Sequence, residues 1–151
     1  MALREAHTAI IYGFMARRVP GWPSETLIPI WMRLLVSLYS GIDDELLMRL
    51  FLLALVLWIA GKIRRSLEPN GAVFWIANAI VALVFAAAYL PAAAAFIPLT
   101  KLVIASLLIA NGIGGLVFGY LCRRDGLEAA MLAHFTANVV LHIAGPLLQG
   151  S

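Results

Sequence analysis

Charged residues are scarce in this sequence. Lysine, arginine, aspartate and glutamate make up 13% of the 151 residues, whereas hydrophobic residues make up 63%. An average soluble domain has about 25% charged and about 45–50% apolar residues. This composition excludes an ordinary soluble domain and predicts an integral membrane protein. A chain of this length has room for four or five membrane-spanning helices of about 20 residues each.

Cysteine is nearly absent, and the net charge is small. Cys122 is the single cysteine, which excludes an internal disulfide and a metal cluster built on several thiolates. The formal net charge is +3, and no basic patch is interleaved with aromatic residues, so the sequence does not indicate nucleic-acid binding. We therefore expect membrane lipid as a partner, no nucleic acid and no cofactor. The sequence leaves the oligomeric state open.

Apolar runs broken by turn residues and charges fill most of the chain. They cover about Leu27–Tyr39, Asp44–Gly61, Ala72–Leu90, Leu102–Leu121 and Leu127–Leu148. These runs predict an all-α membrane bundle with four to five transmembrane helices. The first run is short, so it could also join the second as one long helix kinked at Gly41. We expect residues 1–25 to form an interfacial or partial helix, and residues 26–148 to form the transmembrane domain.

Two basic clusters lie at the ends of apolar runs. Lys62–Arg65 precedes the third run, and Arg123-Arg124 follows the fourth. Because two complete spans separate them, both clusters are predicted on the same side of the membrane. The positive-inside rule makes that side cytoplasmic.

Small residues predict close helix packing in the fourth and fifth runs. Gly115 and Gly119 are four residues apart, which is the spacing that lets another membrane helix approach closely. The fifth run has a similarly small face, made by Ala129, Ala130, Ala133 and Ala137. We expect these two runs to pack together as a tight hairpin, with a structural role only.

Three consecutive acids lie at the junction of the first two apolar runs. They are Asp43, Asp44 and Glu45, and Arg49 follows one helical turn after Glu45, so these two can form an ion pair. An ionisable side chain within a membrane helix costs several kcal/mol and normally marks a functional site. The alternative is that Asp43 and Asp44 cap the N-terminus of a helix, where the helix dipole favours acids.

Polar residues recur at four-residue spacing in the fifth run: His134, Asn138 and His142. Each alone is explained by an interhelical hydrogen bond worth about 0.6–2 kcal/mol. Together with the acids they fit water activation, because carboxylates accept protons while histidine and asparagine donate to a developing oxyanion. A zinc site on two histidines and a carboxylate is an alternative, although no His-Glu-x-x-His motif is present.

Taken in order, these motifs resemble the CPBP family, which comprises CAAX proteases and bacteriocin-processing proteins. The family pattern is Glu-Glu-x-x-x-Arg, then Phe-x-x-x-His, then His-x-x-x-Asn, each on a membrane helix. The first motif stands here as Asp44-Glu45-Leu46-Leu47-Met48-Arg49, and the third as His134-Phe135-Thr136-Ala137-Asn138. The second motif departs from the pattern, since Tyr89 takes the place of the histidine four residues after Phe85.

The resemblance implies an intramembrane glutamic endopeptidase that hydrolyses a peptide bond with carboxylate-activated water. It implies Asp44 and Glu45 as the base candidates, and His134 and Asn138 as the oxyanion donors. Tyr89 would occupy the position of a second base, although tyrosine is a poor base at neutral pH. The implied site residues are Asp44, Glu45, Arg49 as an ion-pair partner, Tyr89, His134 and Asn138.

The resemblance also implies a membrane-associated peptide or protein as the substrate. The expected location is a bacterial or archaeal cytoplasmic membrane, which the chain crosses several times. Two other functions stay open at this point. One is a catalytically inactive membrane scaffold or bacteriocin-immunity protein that has lost the chemistry at Tyr89. The other is a transporter or channel subunit in which Asp43–Arg49 lines a water-filled path.

Overall fold

A computed structural model describes residues 29–66, 70–95, 98–145 and 147 of the protein. These residues form four long helices. They are α1 (Ile30–Arg64), α2 (Gly71–Ala94), α3 (Lys101–Asp125) and α4 (Leu127–Ala144), and each is long and apolar enough to cross a membrane. The described residues contain no β-strand, so the predicted all-α membrane bundle is confirmed. The chain is an integral, multi-pass membrane protein. The interfacial segment expected at residues 1–25 lies outside the described residues.

The first two apolar runs form a single helix, as one of the two expectations had it. α1 is α-helical through Gly41 and becomes π-helical over Leu46–Leu53, so its distortion lies after the acids and not at the glycine. Because α1 begins at Ile30, Asp43 and Asp44 lie within the helix and do not cap it. The capping alternative is therefore wrong. π-Helical segments inside α-helices occur frequently at functional sites.

The buried face of α1 is polar, and its outer face is apolar. Arg33, Ser37, Gly41 and Glu45 recur every four residues and are all buried. Large side chains such as Leu35 point outward and are exposed. This arrangement is the reverse of a soluble helix. It follows from the solvent, because lipid accepts apolar side chains while polar groups must find partners inside the bundle.

The glycines of α3 pack against α2. A Cβ atom at Gly115 would lie 3.0 Å from Ala82, and one at Gly119 would overlap the amide of Asn78. The expected neighbours α3 and α4 do pack together in the bundle, but Gly115 and Gly119 themselves contact α2. Phe118 lies on the side of α3 that faces α4, and its ring stacks on the imidazole of His134 in α4.

Basic and aromatic side chains gather at one end of the bundle. The guanidinium of Arg123, in the last turn of α3, lies 4.4 Å from the ring centre of Phe74 in the first turn of α2. The ammonium of Lys62 lies 5.5 Å from the ring of Trp58 near the end of α1. The beginning of α2 and the end of α3 thus lie together.

Candidate active site

The acidic face of α1 meets the histidine of α4. One carboxylate oxygen of Glu45, Oε1, lies 3.0 Å from Nδ1 of His134. Glu45 is fully buried and His134 is 4% exposed. The two residues are 89 positions apart in sequence. The fold therefore brings a predicted base candidate and a predicted oxyanion donor into direct contact.

Arg49 fixes the second oxygen of Glu45. Its Nε donates to Glu45 Oε2 at 3.0 Å, within one turn of the same helix. Its Nη2 donates to the backbone carbonyl of Gly115 on α3 at 2.8 Å. Its Nη1 is buried and has no hydrogen-bond partner among the described residues. The predicted ion pair is present, and it also links α1 to α3.

Asp44 occupies the more open side of the site. The hydroxyl of Tyr89 on α2 donates to Asp44 Oδ2 at 2.8 Å, and Nε2 of His134 lies 3.9 Å from the same oxygen. The Asp44 side chain is 23% exposed, whereas that of Glu45 is 0% exposed. Adjacent residues in one helix thus have different surroundings, and Asp44 is the carboxylate that water can reach.

Two phenylalanine rings enclose the imidazole of His134. Phe118 of α3 stacks on it, with 4.7 Å between ring centres and 16° between ring planes. Phe85 of α2 meets it edge-on at 5.8 Å, and also meets the ring of Tyr89 edge-on at 5.1 Å. The rings restrict the orientation of the imidazole. Sequence reasoning missed Phe118, because no spacing in the glycine-rich run of α3 singles it out.

Asn138 lies one turn beyond His134 and has its own partner on α1. Its Nδ2 donates to the hydroxyl of Ser40 at 2.6 Å. Ser40 precedes Asp44 by one turn, so the contact forms a second polar layer beside the first. Sequence reasoning missed Ser40, although its four-residue spacing from Asp44 mirrors that between His134 and Asn138.

The rest of the predicted polar row lies further along the same helices. The backbone carbonyl of His142, in the π-helical end of α4, accepts a hydrogen bond from Arg33 at 3.1 Å. The ionisable side chains of the site come from α1, α2 and α4, while α3 contributes the ring of Phe118 and the carbonyl of Gly115. Among the described residues, no group of three histidine, cysteine, aspartate or glutamate side chains is placed to hold a metal ion, so the zinc alternative finds no ligand set there.

Comparison with known proteins gives one match. The model of a family described as Type II CAAX prenyl endopeptidase Rce1-like matches residues 26–140. The matched segment is more than half of the chain and contains all the predicted site residues. No curated protein and no solved structure gives a significant match.

Proposed function

The chain belongs to the Type II CAAX prenyl endopeptidase Rce1-like family, and from this membership we propose that it is an intramembrane endopeptidase. The proposed reaction is hydrolysis of a peptide bond in a membrane-associated peptide or protein. The observation that supports it is the meeting of Asp44, Glu45, Tyr89 and His134, from three helices, in one polar site. Ionisable groups in membrane helices are costly and are usually retained for function.

Asp44 is the carboxylate that binds and orients the attacking water in this proposal. Both oxygens of Glu45 already accept hydrogen bonds, and the side chain is sealed from solvent. Asp44 is partly exposed, and Tyr89 donates to one of its oxygens. Tyr89 acts here as a hydrogen-bond donor that positions Asp44. A hydroxyl that donates a hydrogen bond to a carboxylate is not serving as a base.

The test is peptide cleavage by purified protein in proteoliposomes. The substrates are a prenylated peptide ending in a CAAX sequence and the same peptide without the prenyl group. We expect Asp44→Asn to lower the cleavage rate by about 10²-fold, because an amide in place of the carboxylate would misorient the attacking water. The matched control is Asp43→Asn, because Asp43 is an exposed acid one residue away. Equal rates for the wild type and Asp44→Asn would overturn the proposal.

A non-catalytic member of the family is the second candidate. The observation that favours it is Tyr89, which stands where the CPBP pattern has a histidine. If the wild type cleaves neither peptide while Tyr89→His cleaves one, this second candidate replaces the first. Cleavage by the wild type excludes it.

The basic end of the bundle is proposed to face the cytoplasm. It carries Lys62–Arg65 and Arg123-Arg124, and positively charged loops are retained on that side. In a Cys122→Ala background, Ser66→Cys would place a single thiol at this exposed end. An impermeant thiol reagent added outside intact cells should not label it; labelling there would reverse the orientation.

A further inference from the structure

We infer that His134 is the proton acceptor of the site: Glu45 holds its imidazole protonated at Nδ1, which leaves Nε2 to take a proton from a water shared with Asp44. This inference rests on the proposed function. It differs from the role of oxyanion donor that the family resemblance implies for this histidine. The two roles require opposite protonation of the same nitrogen, so they can be separated by experiment.

Glu45 is ionised in this site. Its Oε2 accepts from Arg49 at 3.0 Å, and neither side chain is more than 1% exposed. Arginine stays protonated in proteins, so the buried partner is a carboxylate, which only accepts hydrogen bonds. The 3.0 Å contact between Glu45 Oε1 and His134 Nδ1 therefore places a proton on Nδ1. In the neutral imidazole, Nε2 then carries a lone pair.

Nε2 of His134 points toward Asp44. It lies 3.9 Å from Asp44 Oδ2, which is longer than a direct hydrogen bond of about 2.7–3.2 Å. A gap of this length between two acceptors suits one water that donates a proton to each. Asp44 is exposed enough to admit that water. The stacked ring of Phe118 and the edge of Phe85 keep the imidazole aimed at this point.

The hydrolytic step then balances in protons and electrons. His134 Nε2 takes one proton from the water while Asp44 accepts a hydrogen bond from the other. The water oxygen forms a bond to the substrate carbonyl carbon, and the π electron pair moves to the carbonyl oxygen. When this intermediate collapses, the C=O bond re-forms and the C–N bond breaks. The departing nitrogen takes the proton from Nε2, which restores the neutral imidazole and leaves an acid and an amine.

Glu45→Gln distinguishes a proton acceptor from an oxyanion donor at His134, because Arg49 determines the orientation of the glutamine amide. The Nε of Arg49 needs an acceptor, so the amide oxygen faces it and the amide NH₂ faces His134 Nδ1. That nitrogen must then accept, and the proton moves to Nε2, as happens when the carboxylate partner of a catalytic histidine becomes an amide. A proton acceptor would be lost by this change, whereas an oxyanion donor would be gained.

The experiment measures cleavage and tautomer on the same proteins. We expect Glu45→Gln to lower cleavage by about 10²–10⁴-fold, with Glu128→Gln, an exposed acid in the first turn of α4, as the unaffected control. Retained or increased cleavage in Glu45→Gln would overturn the inference. Nitrogen NMR of isotope-labelled histidine in nanodiscs reads the tautomer without any substrate. The sequence has three histidines, so a His134→Gln spectrum assigns the signal.

The NMR arm distinguishes the inference from the function on which it rests. The wild type should show His134 protonated at Nδ1, and Glu45→Gln should show it protonated at Nε2. A wild-type imidazole protonated at Nε2 alone would overturn the inference even if Glu45→Gln does not fold. The expected tautomer in a protein that cleaves no peptide would overturn the proposed protease and leave the proton-accepting geometry supported.

Discussion

Two helix–helix interfaces of the bundle are held together in different ways: the one between α2 and α3, called here the α2–α3 seam, and the one between α1 and α4, called the α1–α4 seam. Between α2 and α3, Gly115 fits against Ala82 and Gly119 against Asn78, so the contact depends on shape. Between α1 and α4, the contacts are hydrogen bonds between side chains, such as that from Asn138 to Ser40. Lipid supplies no hydrophobic force between helices, so packing and hydrogen bonding are the two means of joining them. The proposed chemistry lies at the α1–α4 seam, which uses hydrogen bonding.

Each seam also contains one contact of the other kind. In the α2–α3 seam, Asn78 donates to the carbonyl of Leu116 at 3.0 Å, while its amide oxygen is buried with no partner among the described residues. In the α1–α4 seam, a Cβ atom at Gly41 would lie 3.0 Å from the backbone nitrogen of Phe135. Close approach at Gly41 brings the acids of α1 within hydrogen-bond reach of α4. The glycine beside the acids is thus part of the site's construction.

The largest effect on stability should come from leaving a buried charge alone. Arg49→Met removes the cation that pairs with Glu45, and we expect a loss of about 3–5 kcal/mol in the free energy of unfolding. Adding Glu45→Gln should recover much of that loss, because no carboxylate is then stranded. Denaturant unfolding in detergent micelles measures both. The control is Arg124→Met, since its partner Asp125 is exposed. Equal losses of stability at the two arginines would contradict the claim that the buried ion pair matters more than the exposed one.

The α2–α3 seam should break through steric overlap. Gly119→Ala places a methyl group on the amide of Asn78, and we expect a loss of about 1–3 kcal/mol in the free energy of unfolding. Gly112→Ala is the matched control, because nothing lies within 4 Å of its Cβ position. That change should be neutral or slightly stabilising, since alanine favours a helix over glycine. The same loss in both variants would show that shape at Gly119 is unimportant.

The smallest effect should come from the second polar layer. Ser40→Ala removes the acceptor of the Asn138 amide, and interhelical hydrogen bonds of this kind are worth about 0.6–1.7 kcal/mol. A double-mutant cycle with Asn138→Ala isolates the coupling between the two side chains. Strictly additive losses would mean that this contact does not hold the α1–α4 seam together.

The sequence predicted the helices well because apolar runs are direct signals of membrane spans. The sequence could not show whether the first two runs form one helix. Polar residues around Gly41 resemble a loop when their depth in the membrane and the direction of their side chains are unknown. They form the buried face of α1 instead. The partner of the α3 glycines was also missed, since four-residue spacing identifies a small face and not the helix that it meets.

The sequence predicted which side chains would gather at the candidate site, but it did not predict the separate surroundings of the two carboxylates. Asp44 and Glu45 are adjacent in sequence and chemically alike, so nothing in the motif separates them. Only the positions of Arg49 and His134 show that the Glu45 carboxylate is buried with both oxygens hydrogen-bonded, while the Asp44 carboxylate is partly exposed. Roles of this kind depend on atoms from distant helices.

The most direct test of the central comparison is the cleavage rate per folded molecule in two variants. Asp44→Asn should keep its stability and lose about 10²-fold in rate, because the attacking water is no longer oriented. Gly119→Ala should lose stability and keep the wild-type rate in the molecules that remain folded. A wild-type rate in Asp44→Asn would contradict the claim that the α1–α4 seam carries the chemistry.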